Sequence, residues 1–146
     1  MATPNEYINI YKGTVTKGAQ DGTLVSQNDI QTDPLSVDLD ATNNEVKYIK
    51  CAIRTQKGYK SNRTSISFVG LTRDKWQIAK DENFKDEEDA KKNGVFKSTL
   101  VTTDEVNDKN TIFWVKVSSS NDEKPRRDIS VSFKIDTYIV TIWGDL

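Results

Sequence analysis

The stretch that most restricts the fold lies near the C-terminus. Ile129-Ser-Val-Ser-Phe-Lys-Ile135 alternates apolar and polar residues almost without fault. A period of two is what a strand needs when one face meets a core and the other meets water. Upstream lies a second strand-forming run, Thr111-Ile-Phe-Trp-Val-Lys-Val-Ser-Ser119, and the polar residues 121–128 separate the two. Two such runs across a short polar connection predict an antiparallel hairpin. The pattern points to an antiparallel β-sandwich, an architecture of modules that mostly bind or build.

Composition narrows the choice. The 146 residues predict one domain, 1–146, with a single core. An apolar fraction of 35% beside 29% charged residues suits a thin sandwich with much surface per residue. The net charge of −1 supplies no field that would favour nucleic acid or an anionic membrane. No window approaches the apolar length of a membrane span, and the first residues lack the basic-then-apolar pattern of a secretory leader. Cys51 is the only cysteine, so the fold is expected to hold without an intrachain disulfide.

Along the chain, Tyr7-Ile-Asn-Ile-Tyr-Lys12 reads as a strand, and Asp21-Gly22 as a turn that leads into Thr23-Leu-Val-Ser26. Leu35-Ser-Val-Asp-Leu-Asp40 alternates. Residues 46–55 alternate with a phase slip: Val46 and Tyr48 share one face, Ile49, Cys51 and Ile53 the other. Either a bulge reconciles the two phases, or both faces are covered there. Residues 57–60 read as a turn and Thr64-Ser-Ile-Ser-Phe-Val69 as a strand. Residues 81–93 are a charged insertion, acidic first and basic second, and are expected to be an exposed loop with at most a short helix. Strand character returns at 94–101. The total is about seven to nine strands at sandwich spacing.

The residues for catalysis are scarce. There is no histidine, so the usual neutral-pH base and the commonest metal ligand are absent. Asp81, Glu82, Asp86, Glu87, Glu88 and Asp89 crowd one short stretch, which reads as a solvated face rather than a glycosidase pair or a calcium loop. Cys51 sits in the apolar phase of a strand and reads as an inert buried thiol. Lys124-Pro-Arg-Arg127 reads as a solvated basic loop. No catalytic residue, metal ligand or cofactor is assigned, and the chain is expected not to be an enzyme.

Binding residues are easier to nominate. Trp76 and Trp114 invite stacking on carbohydrate. Against this stands packing in the core or under a loop, because Phe113, Val115 and Val117 claim the face opposite Trp114. Beyond Asp136, which interrupts the alternation, the extension 137–146 is apolar on both faces: Tyr138, Val140 and Ile142 on one, Ile139 and Trp143 on the other. Such a strand either lies centrally in its own sheet or packs on another chain. Tyr138, Val140, Ile142 and Trp143, or the N-terminal set Tyr7, Ile8, Ile10 and Tyr11, are therefore the expected partner contacts.

Several longer segments resemble one family. Tyr7-Ile-Asn-Ile-Tyr-Lys-Gly-Thr-Val-Thr-Lys-Gly-Ala-Gln-Asp-Gly-Thr-Leu-Val-Ser26 is similar to the opening of small structural proteins encoded by tailed phages and prophages of Gram-positive bacteria. Asp40-Ala-Thr-Asn-Asn-Glu-Val-Lys-Tyr-Ile-Lys-Cys-Ala-Ile-Arg54, Gly58-Tyr59, Asp74-Lys-Trp76 and Asn110-Thr-Ile-Phe-Trp-Val-Lys-Val-Ser-Ser-Ser-Asn-Asp-Glu-Lys-Pro125 resemble the same group. The insertion 81–93 elaborates on it. The resemblance implies an immunoglobulin-like sandwich that is part of a virion, made in the bacterial host cytoplasm. Its implied partners are a major capsid protein, other virion proteins or further copies of itself, and not nucleic acid or membrane. A capsid decoration is the leading expectation, with a tail or baseplate component, including a carbohydrate-binding module, as the alternative.

Overall fold

A computed structural model describes residues 7–25, 38–39, 46–69, 75–118, 126–127 and 132–141. The strands are β1 (Ile8–Lys12), β2 (Thr23–Val25), β3 (Asp38–Leu39), β4 (Val46–Thr55), β5 (Tyr59–Val69) and β6 (Trp76–Lys80). Helix α1 (Glu87–Asn93) follows, then β7 (Leu100–Thr102), β8 (Thr111–Ser118), β9 (Arg126–Arg127) and β10 (Ser132–Thr141). All the strand pairs are antiparallel. One sheet runs β2-β1-β4-β8-β6 and a second runs β10-β5-β7, which together make an all-β sandwich, while β3 and β9 form a small separate ladder.

Within the larger sheet, β1-β4-β8-β6 is the A-B-E-D succession of an immunoglobulin sandwich. In the smaller sheet β5 and β10 take the C and F positions. The path differs in two respects: β2 adds an edge strand beyond β1, and β6 precedes β7, so the chain visits the larger sheet and returns to the smaller before reaching β8. Among the described residues, the G position beside β10 is empty.

The terminal runs do not form the expected hairpin. β8 pairs with β4 and β6, whereas β10 pairs with β5 in the opposite sheet. The reason lies in β8 itself. Ile112, Phe113, Trp114 and Val115 are consecutively buried, so this strand is apolar on both faces and belongs inside a sheet with neighbours on either side. The chain therefore changes sheets between β8 and β10. Phe113 and Phe133 meet edge-to-face across the sandwich, 5.8 Å apart, and Phe68 leans on Trp76 at 5.9 Å.

A second apolar cluster lies on the outer face of the larger sheet. Ala52, Ile112 and Trp114 pack there with Val15 and Ala90, flanked by Tyr11, Tyr48, Phe84 and Phe96. This resolves the phase slip in residues 46–55. β4 keeps an unbroken register with β8, and both its faces are covered. The cover is the charged insertion. At seven residues α1 is too short to persist alone. Asp86 caps it by accepting from the Asp89 N–H, its acids fill the first turn and Lys91 and Lys92 the last, and Ala90 docks it fully buried. The insertion is thus part of the packing and not a free loop.

A polar hub ties the 13–22 loop and the loop before β8 to the end of β4. Asn110 donates to the Thr16 carbonyl at 3.1 Å and to the Asp21 carboxylate at 2.8 Å, and accepts from the Arg54 guanidinium at 2.8 Å. Arg54 also donates to the Asp21 carbonyl and stacks 3.6 Å over the Tyr11 ring. Gly22 completes the turn at φ +111°, where a Cβ would lie 2.6 Å from Val15 Cγ1. The Thr16 hydroxyl and N–H donate to Asp21, and with Asn110 they hold its carboxyl below the ordinary 3.8. A depressed folded-state pKa means this stabilisation is complete above the unfolded value and is lost as pH falls through the folded one. Urea midpoints are therefore expected to hold steady down to about pH 4.5 and decline below it. Asp21→Asn should lower the midpoint at neutral pH and make the acid decline shallower.

Candidate functional site

β10 is built by period-two alternation that continues past Asp136. Phe133, Ile135, Thr137 and Ile139 turn toward the core, while Lys134, Asp136, Tyr138 and Val140 turn outward. The interruption expected at Asp136 is therefore absent, since Asp136 lies on the solvent face in phase with Lys134. What disguises the continuity is Thr137, a polar residue at an inward position. Its hydroxyl is satisfied locally: it donates to the Arg63 carbonyl at 3.0 Å and meets the hydroxyls of Ser61 and Thr64.

The ladder between β5 and β10 shifts at this point. Thr137 faces Thr64 and Ile139 faces Ser61, so Asn62 and Arg63 together oppose Tyr138. This is a β-bulge, and it lies in β5 rather than in β10. The bulge also explains why β5 begins at Tyr59, where the sequence reads as a turn. Ser61 and Thr64 are both buried with two exposed residues between them, a spacing that no uninterrupted strand allows. The signal is visible in the sequence as Ser61-Asn-Arg-Thr64, once the bulge is admitted.

The outer side of β10 carries no strand among the described residues. Among the described residues it pairs with β5 alone. Tyr138 is 72% exposed and Val140 43%. Tyr138, Arg63, Ser65, Asp136 and Thr137 line a shallow cleft of about 310 Å³ beside the bulge. An aromatic ring, exposed apolar surface and a strand edge unpaired among the described residues thus occur on one strand. Chemically, this edge can accept a further strand through its backbone groups and bury Tyr138 and Val140 under a neighbour.

The other nominated residues fare differently. β1 lies between β2 and β4, and Ile8 and Ile10 are buried in the main core, so this segment offers no free edge to a partner. Tyr11 is half-buried under Arg54. Tyr7 is partly exposed but packs edge-to-face on Tyr59 at 5.1 Å. Trp76 is 1% exposed and Trp114 5%, which leaves neither ring a face for a sugar. Trp114 donates its indole N–H to Asp81 at 3.2 Å beneath the insertion. Ile142 and Trp143 lie outside the described residues.

A cavity of about 170 Å³ opens between the sheets over Ile53, Ile66, Leu100 and Phe113, with Lys17, Lys80, Asp81 and Asp104 at its mouth. Its acids are engaged structurally. Asp81 accepts from Trp114 and from the Phe84 N–H, and Asp104 pairs with Lys80 at 2.8 Å. That hydrogen bond to Lys80 holds the Asp104 carboxyl below its ordinary range, opposite to the rise a general acid needs. Cys51 is fully buried, and desolvation pushes its thiol far up, away from reactive thiolate. No protein-family model matches the chain, and no curated protein matches it.

Proposed function

We propose that this protein is a non-enzymatic structural component of a phage particle, a capsid decoration joined to neighbouring subunits by strand addition on β10. The observation that carries the binding part of this reading is the coincidence of a ten-residue strand edge, unpaired among the described residues, with exposed Tyr138 and Val140. Strand addition draws its strength from main-chain hydrogen bonds and its selectivity from alternate side-chain positions. Repeated on a lattice, individually weak contacts gain effective concentration. The virion part rests on the sequence resemblance. The acids of the sandwich's apolar cavity are tied up in packing, which supports a binding role over a hydrolytic one.

The test is cosedimentation of the purified chain with separated heads and tails of the particles made from the genome that carries it. Saturable binding to heads is expected. Binding to tails alone would favour the tail or baseplate alternative. Binding to neither, together with retention on a host glycan, would favour the carbohydrate reading, now centred on Tyr138, Arg63 and Asp136.

A further inference from the structure

We infer that the strand added to β10 is β10 of a second copy, paired antiparallel about a two-fold axis at Thr137. The inference rests on the open edge invoked above but not on the virion assignment. A two-fold normal to the sheet keeps inward residues opposite inward ones, so the axis must pass through a residue position. Centred on Thr137, the pairing spans Phe133 to Thr141, the described strand apart from its first residue. On the core side, Ile135 meets Ile139 of the second copy twice, continuing the apolar row of the smaller sheet. On the outer side, Lys134 lies opposite Val140 and Asp136 opposite Tyr138, each twice.

In this register the charged half of one strand covers the exposed apolar half of the other. The Lys134 stem can lie along Val140, and its ammonium reaches the diagonal Tyr138 ring. No like charges lie directly opposite one another, and the two Asp136 carboxylates meet only across the longer diagonal. Moving the axis by one residue, to Asp136, would set two carboxylates directly opposite. The self-complementarity follows from the order of residues: Lys134 and Asp136 precede Tyr138 and Val140 on one face of one open strand.

Sedimentation velocity on the full chain, up to about millimolar concentration, tests this, because an edge pairing buries less than a standard interface and is expected to be weak. A concentration-dependent dimer is expected. Val140→Lys places like charges opposite Lys134 at two symmetric positions and should weaken the dimer by about tenfold or more. Val140→Glu places opposite charges there and should leave the dimer intact or tighter. Lys134→Glu should rescue Val140→Lys. Val140 is exposed, so all these variants should keep the wild-type circular dichroism. A monomer throughout the range overturns the inference, as does equal weakening by Val140→Lys and Val140→Glu. A monomer that still cosediments with heads would overturn the dimer and leave the virion role standing. A dimer that ignores every particle fraction would do the reverse.

Discussion

Trp114→Ala is expected to cost about 3–5 kcal/mol, the range for truncating a large buried aromatic. The ring sits at the centre of the outer cluster, between β4, β8 and the insertion. Its loss removes apolar contacts with Ala52, Ala90 and Ile112, and leaves the Asp81 carboxylate without its indole donor. Because α1 is too short to stand alone, undocking of the 81–96 segment should accompany the loss. A drop in melting temperature of roughly 10 °C or more is the expected readout for a domain of this size. Increased proteolysis within 81–96, with the sandwich still folded, would separate this effect from general collapse. A glycan-stacking Trp114 would behave differently, since its removal would leave stability untouched.

Asn110→Ala is expected to destabilise by about 2–4 kcal/mol, since a buried polar hub loses several hydrogen bonds and strands their partners. Asn110 is buried, and its side chain alone joins the Thr16 carbonyl, the Asp21 carboxylate and the Arg54 guanidinium. The backbone adds two further ties: the Asn110 N–H donates to Ala19, and Gly18 donates to the Asn110 carbonyl. Without the side chain, Arg54 loses one of its two acceptors and the 13–22 loop loses its anchor. Asn110→Asp should be no rescue, because it loses both amide donors and adds a carboxylate beside Asp21. Urea unfolding of the two variants checks the pair.

The sandwich was legible because alternation survives in most of its strands. Period two at Thr64 to Val69 and at Phe133 to Ile135 matches the burial of β5 and β10 directly. What misled was apolarity on both faces. In β8 it came from a central strand with a covered outer face, and the hairpin expectation failed for that reason. In β4 the same cover produced the phase slip, which the sequence left open between a bulge and double burial. The insertion looked like a solvated loop because its charges outnumber its anchors. Its apolar anchors in the outer cluster are Phe84 and Ala90, with Phe96 just beyond it, and they are too sparse for a helical stripe.

The exposed surface of β10 is half legible in the sequence. Tyr138 and Val140 stand out in the sequence as one face of a segment apolar on both, and both are exposed; that this face continues from Lys134 and Asp136 is seen only in the structure. The N-terminal segment stands as the alternative in the sequence, because nothing local to Ile8 and Ile10 tells an edge strand from an internal one. Pairing with β2 and β4 decides it, and that is a long-range fact. The polar hub was invisible for the same reason, since Arg54, Asp21 and Asn110 are far apart in the chain and meet only through the fold.

The central claim is that the protein works through the open side of β10. Hydrogen exchange, followed by mass spectrometry on peptides covering β10, tests it most directly. In the dilute chain, the β10 amides that point away from β5 should exchange quickly. On assembled particles they should become protected, and this should be the largest change in the molecule. Protection confined to α1 or to the mouth of the inter-sheet cavity, with β10 exchanging as before, would contradict the account.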